Sequence, residues 1–266
     1  MAHDFTLAKY AELCEALLDS GYETATVAEY LAQGQRFVRV AVLRHDVDRW
    51  PENAVHMAEL EHGKGVRGTY YSRATPQVLH ARAIRKIVSL GHEIGYHYET
   101  LATSNGNYDR AIQLFEKNLA AMRTLYPVQT IAMHGSPLSR YDNRDLWKRC
   151  DYHHYGLLGE VYLDVDYARA GYATDTGRSW SAARRNVRDR PLSSDARAFP
   201  KLAGTNDLIA LVRSRHLPHL LLQIHPERWA WSTWTYVRSY ITDVAVNSVK
   251  LTLAHSSWSM VGAKNV

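Results

Sequence analysis

Short apolar runs alternate with helical patterns along most of this chain, and that alternation leaves few folds open. The runs "RFVRVAVLRHDVD", "VRGTYYSR", "HEIGYHYE", "TIAMHG" and "LPHLLLQIHP" have the length and composition of strands. Between them lie helical segments. "PENAVHMAELEHGKG" carries Pro51 in a first turn, and a second segment runs through Ile84, Ile87 and Val88. "NYDRAIQLFEKNLAAMRTLYP" places Ile112, Phe115, Leu119, Met122 and Tyr126 on one stripe before Pro127. "DLIALVRS" precedes the last strand. Parallel strands need crossovers of a dozen or more residues, usually helices, so repeated strand–helix–strand predicts a parallel α/β sheet or barrel. A chain of 266 residues suits one such barrel.

The prediction is one domain over residues 1–266, with a barrel core at about 38–230, an N-terminal helical extension within 1–35 and a C-terminal one within 232–255. Residues 135–204 are the least regular stretch and are expected to be loops, including an arginine-rich segment that contains Arg178, Arg184, Arg185, Arg188 and Arg190. In the C-terminal segment Trp234, Val237, Ile241 and Val244 share a helical face, expected to pack on the barrel; peripheral membrane contact through Trp229, Trp231 and Trp234 is the alternative.

Composition bounds the rest. An apolar share of 46% and a charged share of 22% are those of an ordinary globular protein. The net charge of +5 is spread along the chain without a nucleic-acid module, so no nucleic-acid partner is expected. Cys14 and Cys150 have no metal-type spacing and no disulfide framework. The first 22 residues have no apolar signal core, and no apolar run is long enough to cross a bilayer, so the expected location is cytoplasmic.

The strand ends carry the chemistry. Side chains two apart in a strand share a face, so Asp46 and Asp48 of "LRHDVDRW" project together while His45 turns away. Two carboxylates that close repel unless a cation or a shared proton relieves them. By the same parity Glu93, His97 and Glu99 share a face in "GHEIGYHYET", and His92 falls on the other. Two further strands end in His134 and His225. Asp, Glu and His meeting at C-terminal strand ends point to a metal or acid–base site of a barrel enzyme. No nucleophile elbow, phosphate loop or dinucleotide fingerprint competes with that reading.

These residues also resemble a family. "RHDVD", "GHEIGYHYE", "AMHGSPLSRYDNRDLW", "TDTGRSW" and "QIHPERW" follow the motif order of the NodB-homology polysaccharide deacetylases, carbohydrate esterase family four, and more closely that of a WbmS-like subgroup of lipopolysaccharide O-antigen loci. The resemblance spans roughly residues 38 to 230. It implies a distorted (β/α) barrel and a divalent metal, zinc first, with iron, manganese, cobalt or nickel left open. It implies Asp46 as general base, His225 as general acid, and Asp48 and His97 as metal ligands. Leu101 stands where the family has a second histidine, so the third ligand is expected to be Glu99, with His134 as the alternative. Asp175, Arg178 and Trp180 are expected to meet substrate. The implied reaction is deacetylation of an N-acetylated sugar, free, nucleotide-linked or lipid-linked. The alternatives are a barrel that binds sugar without turnover, and a deformylase or deamidase acting on a sugar nucleotide.

Overall fold

The computed structural model describes residues 3–180, Pro191 and 199–245. Arg184, Arg185, Arg188 and Arg190, and the end of the expected C-terminal helix, lie outside the described residues. In chain order the elements are α1 (Leu7–Asp19), β1 (Glu23–Ala25), α2 (Val27–Gln33), β2 (Val40–Val47), α3 (Pro51–Gly63), β3 (Thr69–Arg73), α4 (Ala81–Ser89), β4 (Glu93–Tyr98), α5 (Thr100–Thr103), α6 (Tyr108–Arg123), β5 (Thr130–Met133), β6 (Gly159–Glu160), α7 (Val161–Asp164), β7 (Ala170–Thr174), α8 (Thr205–Ser214), β8 (His219–Ile224) and α9, residues 233–245.

All strand pairings are parallel, in the order β6-β5-β4-β3-β2-β8-β7. All eight residues of β2 are buried, as expected of a central parallel strand covered on both faces. The sheet is curled into a distorted (β/α) barrel. Five strand spacings separate β6 from β8 along the sheet, roughly 24 Å if it were flat. Yet Tyr162, two residues after β6, donates its hydroxyl to Gln223 Oε1 of β8 at 3.1 Å, which only a strongly bent sheet allows. Glycine makes room inside the curl at Gly95, where a Cβ would stand 2.2 Å from the Tyr71 ring. Tyr71 thereby crosses the interior to pair its hydroxyl with Thr130 Oγ1 at 2.8 Å.

Three sequence expectations change here. The N-terminal extension is not only helical, because β1 pairs with the start of β2, Glu23 opposite Val40. The stretch expected to be loops supplies β6 and β7. A two-residue strand, and one reading Ala-Gly-Tyr-Ala-Thr, have too little apolar alternation to stand out. The third change concerns α9, whose Trp234, Val237, Ile241 and Val244 do not pack on the barrel but face solvent. The helix is anchored instead by its polar face, with Asp243 accepting from Arg178 Nε at 2.8 Å and from Arg49 at 3.3 Å.

His45 and His92, read from parity as turned away from the site, form a separate buried network. His45 Nε2 lies 2.8 Å from Glu61 Oε1, Tyr70 donates to Glu61 Oε2 at 2.7 Å, and the Tyr10 hydroxyl donates to the same carboxylate. Burial opposes ionisation of Glu61, but His45 and His92 outweigh it and hold the carboxyl below its ordinary range. The network ties α1 and α3 to β2 and β3 beneath the sheet's active end.

Candidate functional site

The C-terminal ends of β2, β4, β5 and β8 meet at one end of the barrel, around a cleft of about 940 Å³. Asp46, Asp48, His97, Glu99, His134 and His225 all line it. Parity accounts for the first four, and the parallel sheet brings in the two histidines from their own strand ends.

Asp46 is fixed by the strand that carries it. Arg44, two residues earlier on the same face, donates from Nε and NH2 to the two carboxylate oxygens, each at 2.8 Å. Gln223 on β8 adds a third donor at 2.7 Å. Burial would raise the pKa of Asp46, but Arg44, followed by His97 and His225, outweighs burial and holds it below the usual range. The Arg44 guanidinium in turn lies 4.4 Å from the centre of the Tyr162 ring.

Asp48 stands one residue beyond β2. Its Oδ1 is buried and makes no hydrogen bond of ordinary geometry, although His97 Nε2 is 3.4 Å away and His134 Nε2 3.7 Å away. Burial opposes its charge, and the two histidines overcome burial to hold its pKa well below the normal value. Both histidines have the other ring nitrogen occupied. His97 Nδ1 meets the Ala132 carbonyl at 2.9 Å, an acceptor that requires the proton on Nδ1. His134 Nδ1 meets Glu99 Oε2 at 2.9 Å. Each ring therefore turns Nε2 toward Asp48, with its tautomer set from behind.

Glu99, the first expectation for a third metal ligand, is engaged elsewhere. Its Oε1 accepts from Arg73 at 2.6 and 3.0 Å, and its Oε2 meets His134. Burial raises its pKa, but His134 and Arg73 reverse the shift and bring it to about 2. His134 is therefore the residue that comes to Asp48, and Glu99 stands behind it. Leu101 is buried in the hydrophobic core on α5. Among the described residues no three His, Cys, Asp or Glu side chains are drawn together as a finished metal cage. What the fold brings together is one unbonded carboxylate oxygen facing two imidazole nitrogens.

His225 is held by Asp175. The carboxylate accepts from the His225 backbone N–H at 3.0 Å, meets its Nδ1 at 2.6 Å, and also takes Arg228 at 2.7 Å and Trp229 Nε1 at 2.9 Å. Burial raises Asp175, and Arg228 and His225 overcome this to bring it to about 2. Burial and Arg228 disfavour the charged form of His225, yet Asp175 and Asp48 prevail and raise its pKa.

None of the three residues expected at substrate faces the cleft. Asp175 is enclosed behind His225. Trp180 is buried, donates to Thr205 Oγ1 at 3.0 Å and packs near Trp229. Arg178 is tied to Asp243 and Ser239. The adjoining Gly177 reaches the cleft wall instead, with Arg49, Arg73, Arg140 and Arg228. Sequence reading missed Gln223 and Arg228 as partners of the site. Gln223 shares the inner face of β8 with His225, so parity could have found it, whereas Arg228 lies in a turn where strand parity says nothing.

One pH effect follows from the His225–Asp175 pair. If protonated His225 is needed for turnover, kcat falls as pH rises through its raised pKa. Asp175→Asn removes the charge that raises it, so the alkaline limb of kcat is expected to move to lower pH. A pH–rate profile of the two proteins checks this, and an unmoved limb would remove Asp175 from that role.

No protein-family model matches the chain, and no curated protein does. Among solved structures it is similar to a CE4 esterase from Streptococcus mutans, 14% identical, with 86% of this chain and 87% of that one covered and a TM-score of 0.44. It is also similar to a family 4 carbohydrate esterase from Streptomyces lividans in complex with acetate, 15% identical over 83% and 90% of the two chains, TM-score 0.42. A third similar structure is a CE4 family pseudoenzyme from Bacillus anthracis, 14% identical over 80% and 61%, TM-score 0.43.

Proposed function

We propose that this protein is a metal-dependent hydrolase that removes the acetyl group from the nitrogen of an N-acetylated sugar. The observation that carries the reading is Asp48 Oδ1, a buried carboxylate oxygen without a hydrogen bond, facing Nε2 of His97 and of His134. Donors each about 2.1 Å from a tetrahedral ion stand about 3.4 Å apart, which matches those approaches. Asp48, His97 and His134 would hold the ion, zinc by donor type, with iron, manganese, cobalt or nickel as alternatives. When bound, such an ion supplies a water acidified toward pKa ~7 and polarises the acyl oxygen.

The chain's own groups then divide the proton work. Asp46, beside His97 at 3.5 Å, takes the proton from the attacking water. Its three donors keep it ionised and aimed. They also make it a weak base, adequate only for a water already made acidic. His225, held through Nδ1 by Asp175, presents Nε2 to the cleft and gives its proton to the departing amine. Glu99 and Arg73 orient His134 from behind, and Arg44 and Gln223 do the same for Asp46. The motif resemblance extends the proposal to a sugar carried on a nucleotide or a lipid in lipopolysaccharide O-antigen assembly.

A second reading, a barrel that binds sugar without turnover, has one observation in its favour: the tight clamp that lowers the basicity of Asp46. Metal analysis and acetate release separate the two. Purified protein is expected to bind one equivalent of zinc and to release acetate from N-acetylated oligosaccharides. His134→Ala should remove the metal, while Glu99→Gln, altered only behind the ligand, should weaken it ~10–100-fold. If Glu99→Gln abolishes binding and His134→Ala leaves it intact, the third ligand is Glu99 after all. If the wild-type protein binds zinc and releases no acetate, the non-catalytic reading stands.

A further inference from the structure

A second, smaller pocket of about 300 Å³ adjoins the cleft, and Thr103 lines both. Its other walls are Ser104 and, on α6, Arg110, Gln113, Leu114 and Lys117. That volume lies at the lower end of the range, ~300–1,000 Å³, of small-ligand sites. Among the described residues no carboxylate lines it. The α5–α6 turn stands between the two spaces, with Asn105 on the cleft and Ser104 on the pocket.

The pocket's two cations do not serve their own helix. Arg110 and Lys117 are seven residues apart, about two turns, so both project from one face of α6 with Gln113 and Leu114 between them. A helical cation gains from an acid three or four residues away, as Lys148 does from Asp145 and Lys9 from Glu12. For Arg110 those positions hold Gly106, Asn107, Gln113 and Leu114, and for Lys117 they hold Gln113, Leu114, Ala120 and Ala121. Arg110 also lies in the first turn of α6, where the helix dipole disfavours positive charge. The acids of this helix turn elsewhere, since Glu116 accepts from Tyr155 at 3.0 Å and Asp109 does not line the pocket. Among the described residues neither cation forms an ion pair.

A third cation stands on the cleft side of the same turn. Of the cleft's arginines, Arg49, Arg73 and Arg228 pair with Asp243, Glu99 and Asp175, whereas Arg140 meets no carboxylate among the described residues. Its guanidinium lies 4.8 Å from the centre of the Tyr141 ring and donates to the Tyr141 hydroxyl at 2.6 Å. That ring abuts the α5–α6 turn so closely that a Cβ at Gly106 would stand 2.2 Å from it. Arg140, Arg110 and Lys117 therefore flank one short stretch of chain. We infer that the second pocket is a phosphate subsite, which receives the diphosphate of a glycosyl diphosphate whose sugar lies in the cleft. Guanidinium forks match phosphate oxygens and lysine adds a point charge. Three positive charges suit a diphosphate better than a single carboxylate. That the sugar end occupies the cleft rests on the hydrolytic reading, while the anion subsite rests on the pocket alone.

The test is binding to the metal-free full chain, so that neither turnover nor capture of phosphate by a metal contributes. The probes are free N-acetylglucosamine, the same sugar on uridine diphosphate, and the same sugar on a short, water-soluble prenyl diphosphate. Wild-type protein is expected to bind both diphosphates about tenfold or more tightly than the free sugar, and less so as salt rises. The double variant Arg110→Gln, Lys117→Gln should lose about tenfold or more in that binding. Whichever diphosphate binds better identifies the carrier as nucleotide or lipid, and either preference supports the subsite. Both side chains are exposed, so the melting curve should be unchanged. Should the double variant nonetheless melt early, Arg140→Gln alone decides, with both diphosphates expected to weaken several-fold. Diphosphates that bind wild-type protein no more tightly than the free sugar overturn the inference, as does undiminished binding by the double variant. A protein that holds the diphosphates through Arg110 and Lys117 yet releases no acetate when loaded with zinc supports the subsite and overturns the hydrolytic reading alone.

Discussion

Replacing Asp46 with asparagine is expected to lower acetate release by ~10²–10⁴-fold, the range that a general base contributes, while bound zinc stays at one equivalent. Asparagine keeps the shape and one acceptor for Gln223 but cannot take a proton from water. The substitution also leaves Arg44, fully buried, without its anion. Stripping one partner from a buried ion pair costs on the order of 3–5 kcal/mol, so a lower melting temperature should accompany the loss of turnover. Rates must therefore be compared well below the variant's transition, with metal content measured on the same sample. A variant that retains wild-type turnover would move the base elsewhere in the cleft.

The second large effect is expected at Asp48. Alanine there removes the one anionic donor between His97 and His134, so stoichiometric zinc binding should disappear and turnover with it. The two histidines alone lack the charge that offsets a divalent ion's loss of water. Whereas Asp46 is clamped by Arg44, Asp48 faces His97 Nε2 at 3.4 Å and His134 Nε2 at 3.7 Å. The native charge on Asp48 also helps to raise His225, so the variant should shift the titration of His225 downward, visible by NMR even with no metal added. Full zinc occupancy in Asp48→Ala would remove Asp48 from the ligand set.

Much of this site was legible in the sequence because a strand's two-residue period is rigid. Asp46 and Asp48 had to share a face, His45 had to leave it, and Arg44 fell on the same side as the carboxylates. That four strand ends bearing Asp and His would meet followed from parallel topology, since parallel strands present their C-terminal ends together. The roles of Glu99 and His134 were not legible in the same way. Spacing put Glu99 on the ligand face, but Arg73, its partner, comes from the neighbouring strand β3, and no local pattern announces a cross-strand ion pair. The position of Asp175, Arg178 and Trp180 behind the cleft wall was hidden for a related reason. Motif order says that residues belong near a site, not whether they face substrate or stand behind the residues that do.

Helix α9 marks the same boundary from the other direction. Its apolar stripe was evident from spacing, and periodicity identifies a helix because the 3.6-residue turn is a property of the backbone itself. Which stripe turns inward is set by partners far away in sequence: Arg49 after β2 and Arg178 after β7 capture Asp243 and Ser239. Local geometry was therefore determined by the chain alone, as strand parity, helix faces and a parallel alternation. The identity of the residue facing Asp48, the carboxylates behind His134 and His225, and the side of α9 left to solvent were decided only by the tertiary structure. Each of these depends on a charge pair closed across the sheet, and only the folded chain brings such groups within a few ångströms.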